Sequence, residues 1–305
     1  MNLDFKNINV LLIGDFMIDH YVFGFSNRNS PEAPIPVVLT EKLESIPGGS
    51  ANVAMNLSAL GAKVNCVGCV GDDIWGKKLV NKLDNQGINT DGIEIIKNYK
   101  TTLKERIFSN EEQIVRVDTE EIFHWKPSSK ISKNYDLVIL SDYNKGVING
   151  EWFKMSDYKM VIVDPKKESF AFYKGATIIT PNLDELKKVS NHNLSNDKSI
   201  IKVCHNLISK FDFHYIIAKK GDKGMVVVGR NNFSKIIPAH KVKTPDVTGA
   251  GDTTVSALAL AYYQTLDIEF SSKFANYIAS LSVSKAGTAK VDIKEIDKKI
   301  VLNFG

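Results

Sequence analysis

The run Asp246-Val247-Thr248-Gly249-Ala250-Gly251-Asp252-Thr253 carries the densest chemistry in this 305-residue chain. An apolar, Ala-rich segment over residues 255–263 follows it and reads as a helix. The glycines free the backbone, so the N–H groups of Gly249, Ala250 and Gly251 can converge on one anion at that helix's N-terminus. Asp252 stands at the mouth of the same turn. A carboxylate there repels a phosphate unless it has a task, and the natural task is to take the proton from an attacking hydroxyl. A Gly-rich turn with an Asp capping a helix is the plainer reading, and for a lone Gly-x-Gly-Asp the better one.

Further acids, amides and glycines follow the same logic. Asp15 and Asp19, in Gly14-Asp15-Phe16-Met17-Ile18-Asp19, come just after an apolar run, where α/β proteins place ligands. Carboxylates there can accept from several ligand hydroxyls, and a loop acid or helix cap is an even alternative. Gly48-Gly49 ahead of Asn52 lets a ligand approach the backbone, and Asn52 can donate and accept. A flexible helix entry accounts for the glycines alone. Asn182 and Glu185 lie one turn apart at a helix start, which is equally the spacing of a capping box. Lys219-Lys220-Gly221-Asp222-Lys223-Gly224 reads as a turn between two strands. Gly71-Asp72-Asp73-Ile74-Trp75-Gly76-Lys77-Lys78 has the glycine and lysine spacing of a P-loop. Lys78 replaces the Mg2+-binding hydroxyl there and two acids sit where phosphates should lie, so it reads as a βα loop that binds no nucleotide.

These residues need a frame. Short apolar runs at 10–13, 64–70, 137–140, 161–163, 177–179 and 215–218 suit strands buried on both faces. Helical patterns at 51–60, 75–86, 182–190, 198–210, 251–265 and 271–286 alternate with several of them. Repeated strand–helix–strand units imply a mostly parallel sheet flanked by helices, within one domain over 1–305. Two segments break the rhythm: 21–39, with extended pieces at 21–25 and 35–39, and 101–117, with pieces at 101–109 and 113–117. Alternating polar residues predict one small β-sheet lid inserted between βα units.

Composition excludes several classes. Hydrophobic residues make up 43% and charged residues 24%, with net charge +4 and pI near 8.7. The basic residues are scattered, which favours small anionic ligands over nucleic acid. No apolar stretch approaches the ~18 residues of a membrane span, and the first residues lack a signal-peptide pattern, so a cytoplasmic protein with no membrane partner is expected. Cys66 and Cys69 lie in a strand-like run without a second Cys pair, and Cys204 is alone. All three read as reduced packing residues, and the six histidines show no ligand spacing.

Two signatures place the chain by resemblance. Asp246–Thr253 resembles the C-terminal signature of the ribokinase-like, or phosphofructokinase-B, sugar kinases. Pro47-Gly48-Gly49-Ser50-Ala51-Asn52-Val53-Ala54 resembles their N-terminal one. Gly14-Asp15-Phe16-Met17-Ile18-Asp19-His20-Tyr21, Ser30-Pro31-Glu32-Ala33-Pro34, Ser141-Asp142-Tyr143-Asn144-Lys145-Gly146, Asp164-Pro165-Lys166 and Thr180-Pro181-Asn182-Leu183-Asp184-Glu185 resemble the heptose-7-phosphate kinase branch. The resemblance runs in order over nearly the whole chain.

It implies a three-layer α/β/α sandwich of ribokinase type with a small lid that covers the sugar and pairs with a second subunit as a homodimer. ATP and Mg2+ are then co-substrate and cofactor, and Asp252 is the base. Asp15, Asp19, Gly48, Gly49, Asn52 and Asp142 become sugar contacts. Lys104, Arg106, Arg116, Lys145 and Lys166 become candidates for a phosphate carried by the sugar, although each alone reads as a solvated charge, as does Arg28. Asn182, Lys220, Gly221, Gly224, Thr248 and Asn276 fall to the nucleotide, and Glu185 to the metal through water. The implied reaction is phosphorylation of D-glycero-β-D-manno-heptose 7-phosphate at O1, giving the 1,7-bisphosphate that leads to ADP-heptose and lipopolysaccharide core. Many relatives carry a nucleotidyltransferase behind the kinase, and this chain shows no His-x-Gly-His motif for one. Lys219 stands where the family usually has Thr or Ser. Residues 146–164 are about one helical turn shorter than the branch (roughly four residues), with a helical stub expected at 151–158. A kinase for another sugar, sugar phosphate or nucleoside, and an inactive sugar-binding protein on the same fold, remain alternatives.

Overall fold

Alternate residues of the short apolar runs serve opposite faces, and that builds two hydrophobic cores around one sheet. The computed structural model describes residues 3–150, 152–242, 246–285, 290–302 and 304. Its elements begin with β1 (Asn9–Gly14), β2 (Phe16–Phe25), β3 (Leu39–Gly49), α1 (Ser50–Ala59), β4 (Lys63–Gly71), α2 (Ile74–Asp84) and β5 (Asn89–Ile96). They continue with β6 (Thr102–Ser109), β7 (Glu112–Thr119), β8 (Leu137–Ser141), β9 (Val161–Asp164), β10 (Ile178–Ile179), α3 (Leu183–Ser190) and α4 (Asp197–Phe211). Last come β11 (Tyr215–Lys219), β12 (Met225–Gly229), β13 (Ser234–Ile237), α5 (Ala250–Thr265), α6 (Ile268–Val283) and α7 (Lys298–Leu302).

Among the described residues, nine strands form one sheet in the order β13-β12-β11-β10-β9-β8-β1-β4-β5. β11 through β5 run parallel, while β12 and β13 are antiparallel at one edge. Val10 and Leu12 of β1 face one core with α1, α2, α5 and α6. Leu11 and Ile13 face the other, with α3 and α4. The three-layer, mostly parallel expectation therefore holds. Strand order reverses at β1, which lies between β8 and β4, so the crevice beyond its carboxyl end is the place for a ligand.

A second sheet, in the order β3-β2-β6-β7, is the expected lid. Its first hairpin is longer than 21–39. β2 starts at Phe16, and the return strand is not residues 35–39 but β3, which runs to Gly49. Gly48 and Gly49 thus end a lid strand. The lid seats on α2 through its outer face, where the His20 ring lies 4.8 Å from Trp75 and Lys78 Nζ donates to Ser45 Oγ at 2.8 Å. Asp73 caps α2 by accepting from Gly76 N at 2.8 Å and also accepts from Thr101 N at 2.8 Å, so the P-loop look-alike is a helix start tied to the lid.

Other expectations shift. β5, β12 and β13 were not among the strand-like runs. The helix expected at 271–286 is α6, Ile268–Val283, and Ala286 lies outside the described residues. The stub expected at 151–158 is only a 3-10 turn at Met155–Asp157, with Glu151 outside the described residues. Cys66 and Cys69 sit three apart in β4, which sends them into opposite cores and rules out a shared metal. Burial pushes the thiols of Cys69 and Cys204 up to about 12.

Candidate active site

Gly249 adopts φ 76°, a left-handed conformation that suits glycine, and α5 starts at the next residue. Asp252 falls in the first turn, 6% exposed. Its Oδ1 accepts from the Tyr143 hydroxyl at 2.6 Å and its Oδ2 from Asn52 Nδ2 at 2.7 Å. Burial raises this carboxylate from 3.8 to about 6, against the pull of Tyr143 and Asn52. The group is a base near neutral pH, aimed by two neutral donors. α1 and α5 are laced together behind it, with Asn56 Nδ2 donating to Asn52 Oδ1 at 3.2 Å and Thr253 Oγ1 to Asn56 Oδ1 at 3.1 Å. The amide of Ala250 donates to Val247 O at 3.2 Å, and that of Thr248 to Asp246 Oδ1 at 3.0 Å, so the turn is braced from within.

Asp15 and Asp142 are tied into the loop after β8. Asp15 is buried and accepts from three amides of one loop: Tyr143 N at 2.8 Å and Lys145 N at 3.1 Å on Oδ2, and Val147 N at 3.2 Å on Oδ1. Burial, with the nearby Asp142, raises it to about 6. The Asp142 side chain has 0% exposure and accepts from Tyr173 Oη at 2.7 Å and Asn144 N at 2.6 Å, with Lys167 Nζ 3.4 Å away. Both acids shape the loop after β8 that presents Tyr143 to Asp252. Each buried carboxylate oxygen must find a donor, and the loop amides and Tyr173 supply them.

Asp19 does face the lid's inner side. Strand register pairs Asp19 with Lys104, Tyr21 with Arg106, and Arg106 with Arg116, so these residues share one face. Arg106 Nη1 donates to Asp19 Oδ1 at 2.6 Å, and its guanidinium lies 5.3 Å from the Tyr21 ring centre. A Cβ on Gly48 would stand 2.4 Å from Asp19 Oδ2, so a side chain there would displace the carboxylate. Lys104 meets Asp118 at 3.2 Å and Glu120 at 3.5 Å, Lys145 meets Glu120 at 2.7 Å, and Arg116 meets Asp118 at 2.9 Å. The hydrogen bond from Lys145 holds Glu120 below the usual carboxylate range.

Lys166 is not with these cations. Its Nζ donates to Glu185 Oε1 at 2.8 Å, which puts it at the start of α3. Burial opposes its charge, but Glu185, Asp164 and Asp252 outweigh that and hold it above its ordinary value. Glu185 also accepts from Asn182 Nδ2 at 2.9 Å and from Asn182 N at 2.8 Å, while Asn182 Oδ1 caps Glu185 N, so the capping box is real. Lys219, at the end of β11, donates to Asp164 Oδ1 at 2.5 Å, and Thr180 Oγ1 donates to the same oxygen at 2.7 Å. The Lys220 side chain, 8% exposed, turns to α4, where its Nζ pairs with Asp197 at 2.7 Å. Gly221–Lys223 is a 3-10 turn closed by Gly224. Asn276 donates to Pro238 O at 2.6 Å and lines a cavity of about 370 Å3 with His240 and Phe304. Among the described residues no cluster of His, Cys, Asp and Glu forms a metal cage.

The tertiary structure thus joins Asp252, Asn52 and the Gly249–Gly251 turn, and sets Asp19, Lys104, Arg106 and Arg116 on one lid face. It adds Tyr143, Asp164, Asp118 and Glu120. Tyr143 follows the carboxyl end of buried strand β8 and Asp164 ends β9, a signal that was available. Asp118 and Glu120 carried none, since an acid on or just past an edge strand looks like any other.

The model of the pfkB family of carbohydrate kinases matches residues 7–295. Bifunctional protein HldE of Pseudomonas savastanoi pv. phaseolicola is 34% identical over 97% of this chain and 64% of its own length. HldE of Actinobacillus succinogenes is 36% identical over the same shares, 97% and 64%. The chain therefore spans less than two thirds of the length of these relatives. The structure of Arabidopsis thaliana ribokinase complexed with ribose and ATP has a TM-score of 0.78 at 21% identity, covering 97% of this chain and 98% of that one. Phosphofructokinase-2 from Escherichia coli in complex with potassium has a TM-score of 0.73 at 17% identity, over 97% and 99%. These structures share its ribokinase-like α/β fold. A family model spanning nearly all of that fold makes the chain a member of the pfkB family of carbohydrate kinases.

Proposed function

We propose that the sugar is D-glycero-β-D-manno-heptose 7-phosphate, phosphorylated at O1 in the cytoplasm on the way to ADP-heptose and lipopolysaccharide core. The observation that carries the reading is the lid face itself. Lys104, Arg106 and Arg116 stand beside Asp19, with Lys145 joined through Glu120. The HldE relatives, similar along this whole stretch, support the same branch.

Asp252 accepts the proton of the sugar hydroxyl as that oxygen bonds to the γ-phosphorus of ATP. The bond from that phosphorus to the β,γ-bridging oxygen breaks, and its electron pair leaves on ADP. The turn at Gly249, Ala250 and Gly251 faces the charge in transfer. Gly221, Gly224, Thr248, Asn182 and Asn276 border the nucleotide. Glu185, already bound to Lys166 and Asn182, suits an ion that keeps its waters. Mg2+ would be held by phosphate oxygens and water, reaching Glu185 through water, and would neutralise phosphate charge.

Asp19 accepts a sugar hydroxyl beside Asn52, and the lid cations take the 7-phosphate. Leu43, Val115 and Val117, exposed on the opposite lid face, are the surface for a second copy. A second reading, an unphosphorylated sugar, has one observation behind it: Asp118 and Glu120 already neutralise Lys104, Arg116 and Lys145 in part. Coupled ADP release with heptose 7-phosphate, heptose, ribose, fructose 6-phosphate and adenosine decides. Heptose 7-phosphate should have the highest kcat/KM. Equal use of heptose and its 7-phosphate removes the phosphate pocket, and preference for another compound removes the branch.

A further inference from the structure

We infer that Lys219 is a catalytic residue of the phosphoryl transfer, its ammonium held at the first turn of α5 to contact the transferring group and the oxygen it leaves. The inference rests on the kinase reading of Asp252.

Position carries the argument. Lys219 Nζ lies 3.5 Å from the point where a Cβ on Gly251 would stand, so it borders the backbone that faces the phosphoryl group. Its holder is fixed in turn, since Asp164 Oδ1 binds both Lys219 and Thr180 Oγ1. The strand end bearing Lys219 is clamped as well, with Lys219 N donating to Pro181 O at 2.9 Å. The Lys219 and Asp164 side chains are 16% and 15% exposed, so the charge acts where water screens it little.

Chemistry completes it. In this chain an ammonium stands where the resembling family usually has a hydroxyl. A hydroxyl donates one neutral hydrogen bond, whereas an ammonium brings a full charge and three donors. A single bond to Asp164 leaves donors for phosphate oxygens. As the sugar oxygen bonds to phosphorus and its proton passes to Asp252, the bridging P–O bond opens and its electrons collect on the departing ADP oxygen. A cation fixed there is stronger for the transition state than for bound ATP, which raises kcat more than it lowers KM.

The test compares Lys219→Met and Lys219→Thr with wild type in coupled ADP release on the preferred sugar, alongside Asp252→Asn and thermal melting. Both replacements delete the charge, and threonine, too short to reach Asp164 across β10, also deletes the tie, so melting reports the structural part separately from the rate. Both Lys219 variants should lose kcat by about 10²–10³-fold, with the sugar KM unchanged. Lys219→Arg should recover part of the rate. Wild-type kcat in Lys219→Thr, or a loss confined to the sugar KM or to the melting temperature, overturns the role. An active Asp252→Asn enzyme instead overturns the underlying kinase reading, whatever Lys219 does.

Discussion

The lid face and the turn at α5 both hold charged residues, but they hold them in opposite ways. At the lid, Lys104 and Arg116, and Lys145 from the loop after β8, pair with carboxylates that keep a fifth to a third of their side-chain surface in water. Such pairs are weak and exchangeable, so an incoming phosphate can replace Asp118 or Glu120. At α5, Asp252 has lost its water and is held by two neutral donors, Tyr143 and Asn52. Burial there raises the cost of charge and turns a carboxylate into a base. Arg106 stands between the two regimes, its side chain 15% exposed against Asp19. Burial, more than charge, decides which groups bind and which react.

The comparison breaks most directly at Asp252. Asp252→Asn should lower kcat by about 10²–10⁴-fold while ATP and sugar still bind, measured by ADP release and calorimetry. The same variant should be the more stable protein above pH 6. The folded carboxylate titrates near 6 against 3.8 unfolded, so the native state binds the extra proton between those values. Stability therefore falls as pH rises from about 4 to 6 and stays lower beyond. The variant avoids that cost, at most about 3 kcal/mol, and the gap should close near pH 4 in melts across pH. A constant gap would deny Asp252 its raised value.

Next in size is the lid. Arg106→Ala should raise the KM for the phosphorylated sugar about 10–100-fold, with little change in the KM for ATP. Raising ionic strength should lift that sugar KM in wild type and leave the acid limb of the pH profile in place. If ATP binding suffers equally, the two regions are not separate. Tyr143→Phe is smaller and sharper. Wild-type kcat/KM should fall as pH drops through about 6. Without the Tyr143 donor the carboxylate protonates more readily, so that limb should move to higher pH, with roughly tenfold lower kcat. An unmoved limb would separate Tyr143 from the base. Smallest of all, Lys42→Ala, which breaks an exposed pair with Glu44, should shift stability by under about 1 kcal/mol and leave kinetics alone.

The amino-acid sequence by itself determined the α/β class, the lid's existence and the glycine turn ahead of α5. Those features are local: apolar runs set strands, glycines before an apolar stretch set an anion turn, and alternating polarity sets a half-exposed sheet. It also placed Asp252, whose chemistry follows from standing inside its own motif. Only tertiary structure decided what the other acids do. Asp15 lies four residues from Asp19, yet three loop amides consume it while Asp19 faces the lid pocket. Lys166 pairs with Glu185 at the start of α3, and Lys220 with Asp197 at the start of α4. Tyr143 reached Asp252 across 109 residues of chain. A carboxylate or an ammonium reads the same in sequence wherever it falls. Its role is set by which partners arrive to replace water, and those partners come from strands and loops far away along the chain.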